Sequence, residues 1–72
     1  MKIGEYNDWM LMKLLPATSP EMSIKISGAD RGSREYQAVF NYVSRRMRAL
    51  EKSKYVRWEG VRDGARIWMV RA

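Results

Sequence analysis

The chain has 72 residues, 46% of them apolar and 31% charged, with a net charge of +6 and neither cysteine nor histidine. One domain with a marginal core is expected, because so short a chain buries only about 60% of its unfolded surface. Without thiol or imidazole, and with its eight carboxylates scattered, it lacks the usual general base, nucleophile and metal ligands, so no enzyme, metal site or cofactor is expected.

Residues 1–6 read as a short edge strand or an irregular lead-in. Asn7 or Asp8 caps a first helix that runs to Leu15 and stops at Pro16. Trp9, Met10, Leu11, Met12, Leu14 and Leu15 cover nearly the whole helical wheel, more than the single apolar stripe a monomer's surface helix needs. Either the small domain wraps around this helix, or part of its surface meets a second copy. A homodimer through Trp9 to Leu15 is the expectation. The longest apolar run, Trp9 to Met12, is too short for a membrane span or a signal peptide. With the absence of cysteine, this favours a cytoplasmic location.

Pro16 to Pro20 is a turn. The next stretch carries two conflicting signals. Ser19-Pro20-Glu21 is a good helix start, with a cap, a proline at the first position and an acid in the first turn. Met22, Ile24 and Ile26 alternate with Ser23, Lys25 and Ser27, which is the period of a strand. The alternation and the two isoleucines favour a short strand, with the helix as the alternative. Gly28 to Gly32 is a loop. It has glycines but lacks the G-x-x-x-x-G-K-[ST] spacing of a phosphate loop.

Ser33 to Lys52 is the dominant element, a long amphipathic helix with Ser33 as N-cap. At about 100° per residue, Tyr36, Val39, Phe40, Val43, Met47 and Leu50 fall within about 60° of Tyr36 and form one buried stripe. Arg34, Ala38, Asn41, Arg45 and Lys52 lie around the opposite pole, with Arg48 just beyond. One face is apolar and the other basic. After Ser53-Lys54, two β-rich runs flank Asp63-Gly64, a strong hairpin signal because a type I′ turn needs positive φ at both central residues. A two-residue turn pairs Arg62 with Ala65, Glu59 with Trp68, Trp58 with Met69 and Val56 with Arg71. Val56, Trp58, Ile67 and Met69 are then expected to face the long helix. The three tryptophans read as core or hairpin packing residues.

Charge is uneven along the chain. Residues 1–33 hold four bases and four acids, whereas residues 34–72 hold ten bases and four acids. Eight of those ten bases are arginine, the side chain suited to bidentate phosphate and guanine contacts. A solvated helix face normally mixes signs at i, i+4 spacing, and this one does not. A polyanionic partner is therefore expected.

Helix, short element, long basic helix and basic hairpin follow in an order that resembles a winged helix-turn-helix DNA-binding domain of small prokaryotic, archaeal or viral regulators. The resemblance is sharpest over residues 41–72, in Val43, Ser44, Arg45, Arg46, Met47, Arg48, Leu50 and Glu51, then Tyr55, Val56, Asp63-Gly64 and Ile67-Trp68. Residues 16–33 depart from the family pattern. The second helix is either SPEMSIKIS or, if the long helix breaks near Asn41, SREYQAVF. The resemblance implies a mainly α fold with a C-terminal β-hairpin, two or three helices plus a wing, and double-stranded DNA as partner in transcription regulation. Gln37 and Asn41 are candidates to read adenine. Arg34, Arg45, Arg48 and Lys52 are candidates for guanine or phosphate, and Arg62 and Arg66 for wing contacts. A protein-interaction adaptor using the apolar first helix, or an RNA or single-strand binder using hairpin aromatics, are the alternatives. No small-molecule ligand and no membrane partner are expected.

Overall fold

The computed structural model describes residues 6–71. The expected lead-in at residues 1–6 lies outside the described residues except for Tyr6. The element order is α1 (Asp8–Met12), β1 (Ala17–Thr18), α2 (Ser19–Ser27), α3 (Arg34–Lys52), β2 (Val56–Arg62) and β3 (Ala65–Val70). The strands form one antiparallel sheet in the order β1-β3-β2. Three helices and a C-terminal hairpin, with the two-residue strand β1 on the β3 edge, make a small α+β domain of winged-helix-like arrangement.

α1 is shorter than expected. Asn7 caps it, its side chain accepting from the Met10 backbone N–H at 2.9 Å. Beyond Met12 the hydrogen bonds tighten to i→i−3, from Leu14 to Leu11 and from Leu15 to Met12. The chain thus winds down in a 3₁₀-like turn before Pro16, which has no N–H to continue it.

Residues 19–27 are a helix, not the strand that their alternation favoured. The local capping chemistry decides the matter. The Thr18 hydroxyl accepts from the Glu21 backbone N–H at 3.2 Å, while the Thr18 N–H donates to Glu21 Oε1 at 2.8 Å. This reciprocal capping box, with Pro20 in the first turn, satisfies donors that a helix start otherwise leaves orphaned. Met22 and Ile26, four residues apart, are then buried on one side and Ile24 is left exposed. SPEMSIKIS is therefore the second helix, and α3 runs unbroken through Asn41.

α3 follows expectation closely. Ser33 caps it through the Tyr36 N–H at 3.1 Å. Tyr36, Val39, Val43, Met47 and Leu50 are buried, and Phe40 is half-buried at the edge of the stripe. Val39, Val43, Met47 and Leu50 share one core with Leu11, Met22, Ile26, Val56 and Trp68, and the Tyr36 and Phe40 rings stack on each other at 5.8 Å.

The hairpin turn is at Asp63-Gly64, both with positive φ. Near the turn the register is the expected one, Arg62 opposite Ala65 and Val61 opposite Arg66. Farther out it shifts by one, to Trp58 opposite Trp68, Arg57 opposite Met69 and Val56 opposite Val70. The cause is a β-bulge between Trp58 and Val61, made possible by the positive φ of Gly60 (78°). Since neighbouring residues point to opposite faces, a one-residue slip exchanges the faces. Trp68 turns into the core, 5% exposed, and donates its indole N–H to Ser19 Oγ at 3.2 Å. Ile67 and Met69, expected inward, sit on the other face and are half-buried. Trp58 is 41% exposed.

Candidate nucleic-acid interface

The outer face of α3 presents Arg34, Gln37, Asn41, Arg45, Arg48 and Lys52, all exposed. A helix of 19 residues spans roughly 27 Å between its end residues, and a B-DNA major groove is about 12 Å wide. Arg34 and Lys52 at the two ends are thus flanking groups, and Gln37, Asn41, Arg45 and Arg48 form the middle of the face. Gln37 Nε2 donates to Asn41 Oδ1 at 3.0 Å, so the two amides are already aligned one turn apart.

Beside this face the hairpin tip and the start of α2 close an open cleft of about 370 Å³. Arg31, Arg48 and Arg66 line it, with Ser19, Ser44 and Phe40 among its floor and walls. A shallower hollow lined by Phe40, Asn41, Ser44, Arg45 and Arg48 continues along α3. Arg48 and Ser44 belong to both, so the middle of the helix face and the cleft form one surface. Asp63 is the single acid on the cleft rim.

Ion pairing separates the arginines into two groups. Arg46 is held by Asp8 through two hydrogen bonds, at 2.9 and 2.6 Å. Arg62 donates to Glu21 at 3.0 Å, and Arg57 pairs with Glu59 along β2. These three acids lie away from the α3 outer face. Arg31, Arg34, Arg45, Arg48, Arg66 and, at the end of the chain, Arg71 make no ion pair among the described residues. The hydrogen bond from Arg46 holds the Asp8 carboxyl below its ordinary value. The Glu21 carboxyl is lowered first by the Thr18 backbone N–H and then by the Arg62 charge.

The eight sequence candidates therefore divide. Asn41, Arg45, Arg48 and Arg66 are brought together, and Gln37 adjoins them. Arg34 and Lys52 flank them. Arg62 does not join the group, because it turns toward α2 and is engaged by Glu21, 41 residues away in sequence. Sequence reading missed Arg31. It sits in the turn between α2 and α3, two residues before the Ser33 cap, and a base at that place next to a basic helix was the available signal. It missed also that Arg66 lies over the Trp58 ring, its guanidinium carbon 4.7 Å from the centroid. That contact follows from the bulge.

The apolar first helix is largely consumed by the fold. Leu11 is fully buried, and Met12, Leu14 and Leu15 pack partly against the core. Trp9, 66% exposed, and Met10 remain at the surface, and Tyr55, 59% exposed, lies across a small apolar hollow from Trp9. Trp9 is not a core residue, and Lys13 rests against its ring at 5.4 Å. No described helix is long and apolar enough to cross a membrane. Comparison with protein-family models, curated proteins and solved structures finds no match for the chain.

Proposed function

We propose that the domain binds double-stranded DNA, with α3 in the major groove and the hairpin as a wing, and that it serves as a transcriptional regulator. The observation that carries the reading is the segregation of arginine. Arg31, Arg34, Arg45, Arg48 and Arg66, without carboxylate partners among the described residues, stand on the outer face of α3, its preceding turn and the start of β3, whereas Arg46 of α3 and Arg57 and Arg62 of β2 are engaged by Asp8, Glu59 and Glu21. Leaving like charges unpaired on one surface costs stability through self-repulsion. A polyanion offsets that cost by supplying the missing counter-charges. Gln37 and Asn41 offer the donor–acceptor pair that reads adenine, and Arg45 is placed between them and the C-terminal turns to read guanine.

The test is fluorescence anisotropy on random duplex DNA from low to moderate salt. With about five phosphates neutralised, log affinity falls with log salt at a slope near −4 to −5. Arg45→Ala costs roughly 1–3 kcal/mol on the preferred site and relaxes preference at one base pair. Absence of binding at low salt would refute the proposal and favour the protein-adaptor alternative. The exposed Trp9 and Tyr55 support a second element of the reading, a homodimer that presents two α3 helices to half-sites about one helical turn apart.

A further inference from the structure

The lining of the cleft between the start of α2, the middle of α3 and the hairpin tip includes neither Gln37 nor Asn41. It lies to one side of the amide pair on α3, and its polar lining is three guanidiniums, hydroxyls and one rim carboxylate. Arg31 comes from the interhelical turn, Arg48 from the fourth turn of α3, and Arg66 from the second residue of β3. Three independent elements thus direct arginine at one concavity, and none of the three has a carboxylate partner among the described residues. Ser19 and Ser44 add hydroxyls on two sides. Planar guanidiniums converging on one point suit a tetrahedral oxyanion better than a base edge, because each can give two parallel N–H bonds to a pair of oxygens.

Arg66 stands exposed on the wing beside the turn, so the direction of its side chain depends on a neighbour. Its guanidinium is stacked on the Trp58 indole across the β-bulge. Trp58 is 41% exposed and belongs to no buried cluster, so core packing does not account for it. We propose that the cleft is a preformed seat for one phosphate of the duplex backbone, held by Arg31, Arg48 and Arg66, and that Trp58 is the positioning residue that holds Arg66 toward it. The proposal deepens the DNA-binding reading and rests on it. The bulge at Gly60 is part of the device, because it sets Trp58 opposite Trp68 and so diagonal to Arg66. Without the slip, Trp58 would stand opposite Met69.

The experiment is anisotropy on a random duplex, repeated across salt concentrations, with Arg31→Ala, Arg48→Ala, Arg66→Ala, Trp58→Leu, Trp58→Phe and the double variant Trp58→Leu/Arg66→Ala. Each arginine variant is expected to weaken all sequences alike and to shorten the salt slope by about one. Trp58→Leu loses about two- to five-fold, the range of an exposed cation–π contact, and Trp58→Phe recovers most of it. On the Arg66→Ala background Trp58→Leu adds nothing, since its effect runs through that guanidinium. A merely structural tryptophan would instead lower affinity additively and be equally damaging with or without Arg66, which overturns the positioning role. Unchanged slopes in all three arginine variants, with Arg45→Ala still weakening binding, overturn the seat and leave the DNA reading intact. If the wild type binds no duplex, pyrophosphate is titrated at constant ionic strength while the arginine Nε–Hε resonances are followed. Concerted shifts of Arg31, Arg48 and Arg66 then uphold the seat for another phosphate ligand, and their absence overturns it.

Discussion

Thr18 decides whether residues 19–27 are a helix, and its replacement can be worked out term by term. Its hydroxyl accepts from the Glu21 N–H, its own N–H is held by Glu21 Oε1, and the side chain is buried. Thr18→Val removes the hydroxyl and keeps the volume. The loss of an N-cap acceptor costs about 1 kcal/mol. Thr18→Ser keeps the cap and removes one buried methyl group, at about 0.8 kcal/mol. Thr18→Ala removes both, so about 2 kcal/mol is expected. For a domain of this size each kcal/mol shifts the thermal midpoint by roughly 4–8 °C, so Thr18→Ala melts about 8–16 °C lower. The assay is thermal and urea unfolding followed by fluorescence, with Trp68 in the core as reporter. If Thr18→Val is as stable as the wild type, the capping box does not stabilise α2, and the account of why the helix prevails over the alternating pattern is refuted.

Met47, fully buried against α3's partners, is expected to cost about 2–5 kcal/mol as Met47→Ala, read as a lower urea midpoint. A loss below 1 kcal/mol would contradict the core assignment. Asp8 and Glu21 have lowered folded-state pKa values. Their contribution is therefore present above the ordinary carboxylate range and lost as pH falls through the folded values. Thermal midpoints measured from pH 6 down to pH 2 should drop below about pH 4, and less so in Asp8→Asn/Glu21→Gln. An unchanged acid profile in that variant would show the two pairs to be energetically silent. In sedimentation, the homodimer reading predicts concentration-dependent association, free or on DNA, that Trp9→Ala abolishes. A monomer under both conditions would remove the dimer.

The parts of this fold legible in the sequence are those written in local signals. The Ser33 cap, the stripe from Tyr36 to Leu50 and the Asp63-Gly64 turn each lie within a few residues of the elements they specify. Residues 19–27 were misleading because two local signals disagreed. Alternation of Met22, Ile24 and Ile26 records only polarity, whereas the helix start read at Ser19-Pro20-Glu21 concerns backbone donors that must be satisfied, and the structure sets its cap one residue earlier, at Thr18. The hairpin face was misjudged for a different reason. A bulge needs only a glycine free to take positive φ, and Gly60 gives no sign in sequence of whether it uses that freedom.

The candidate site was half legible on the same principle. Helical periodicity alone assembles Asn41, Arg45 and Arg48 on one face. It is silent on which bases an acid elsewhere will neutralise. The +6 of the chain describes an excess, not its place. Glu21 withdraws Arg62 from the wing across 41 residues, and Asp8 withdraws Arg46 from α3 across 38. Both acids act at helix starts, where negative charge is already favoured by the dipole. The capping box that starts α2 therefore also fixes the Glu21 carboxylate that holds Arg62, while Asp8, next to the Asn7 cap of α1, holds Arg46. Which arginines remain unpaired on α3, its preceding turn and the wing is set by that subtraction, and the proposed DNA-facing surface follows from it.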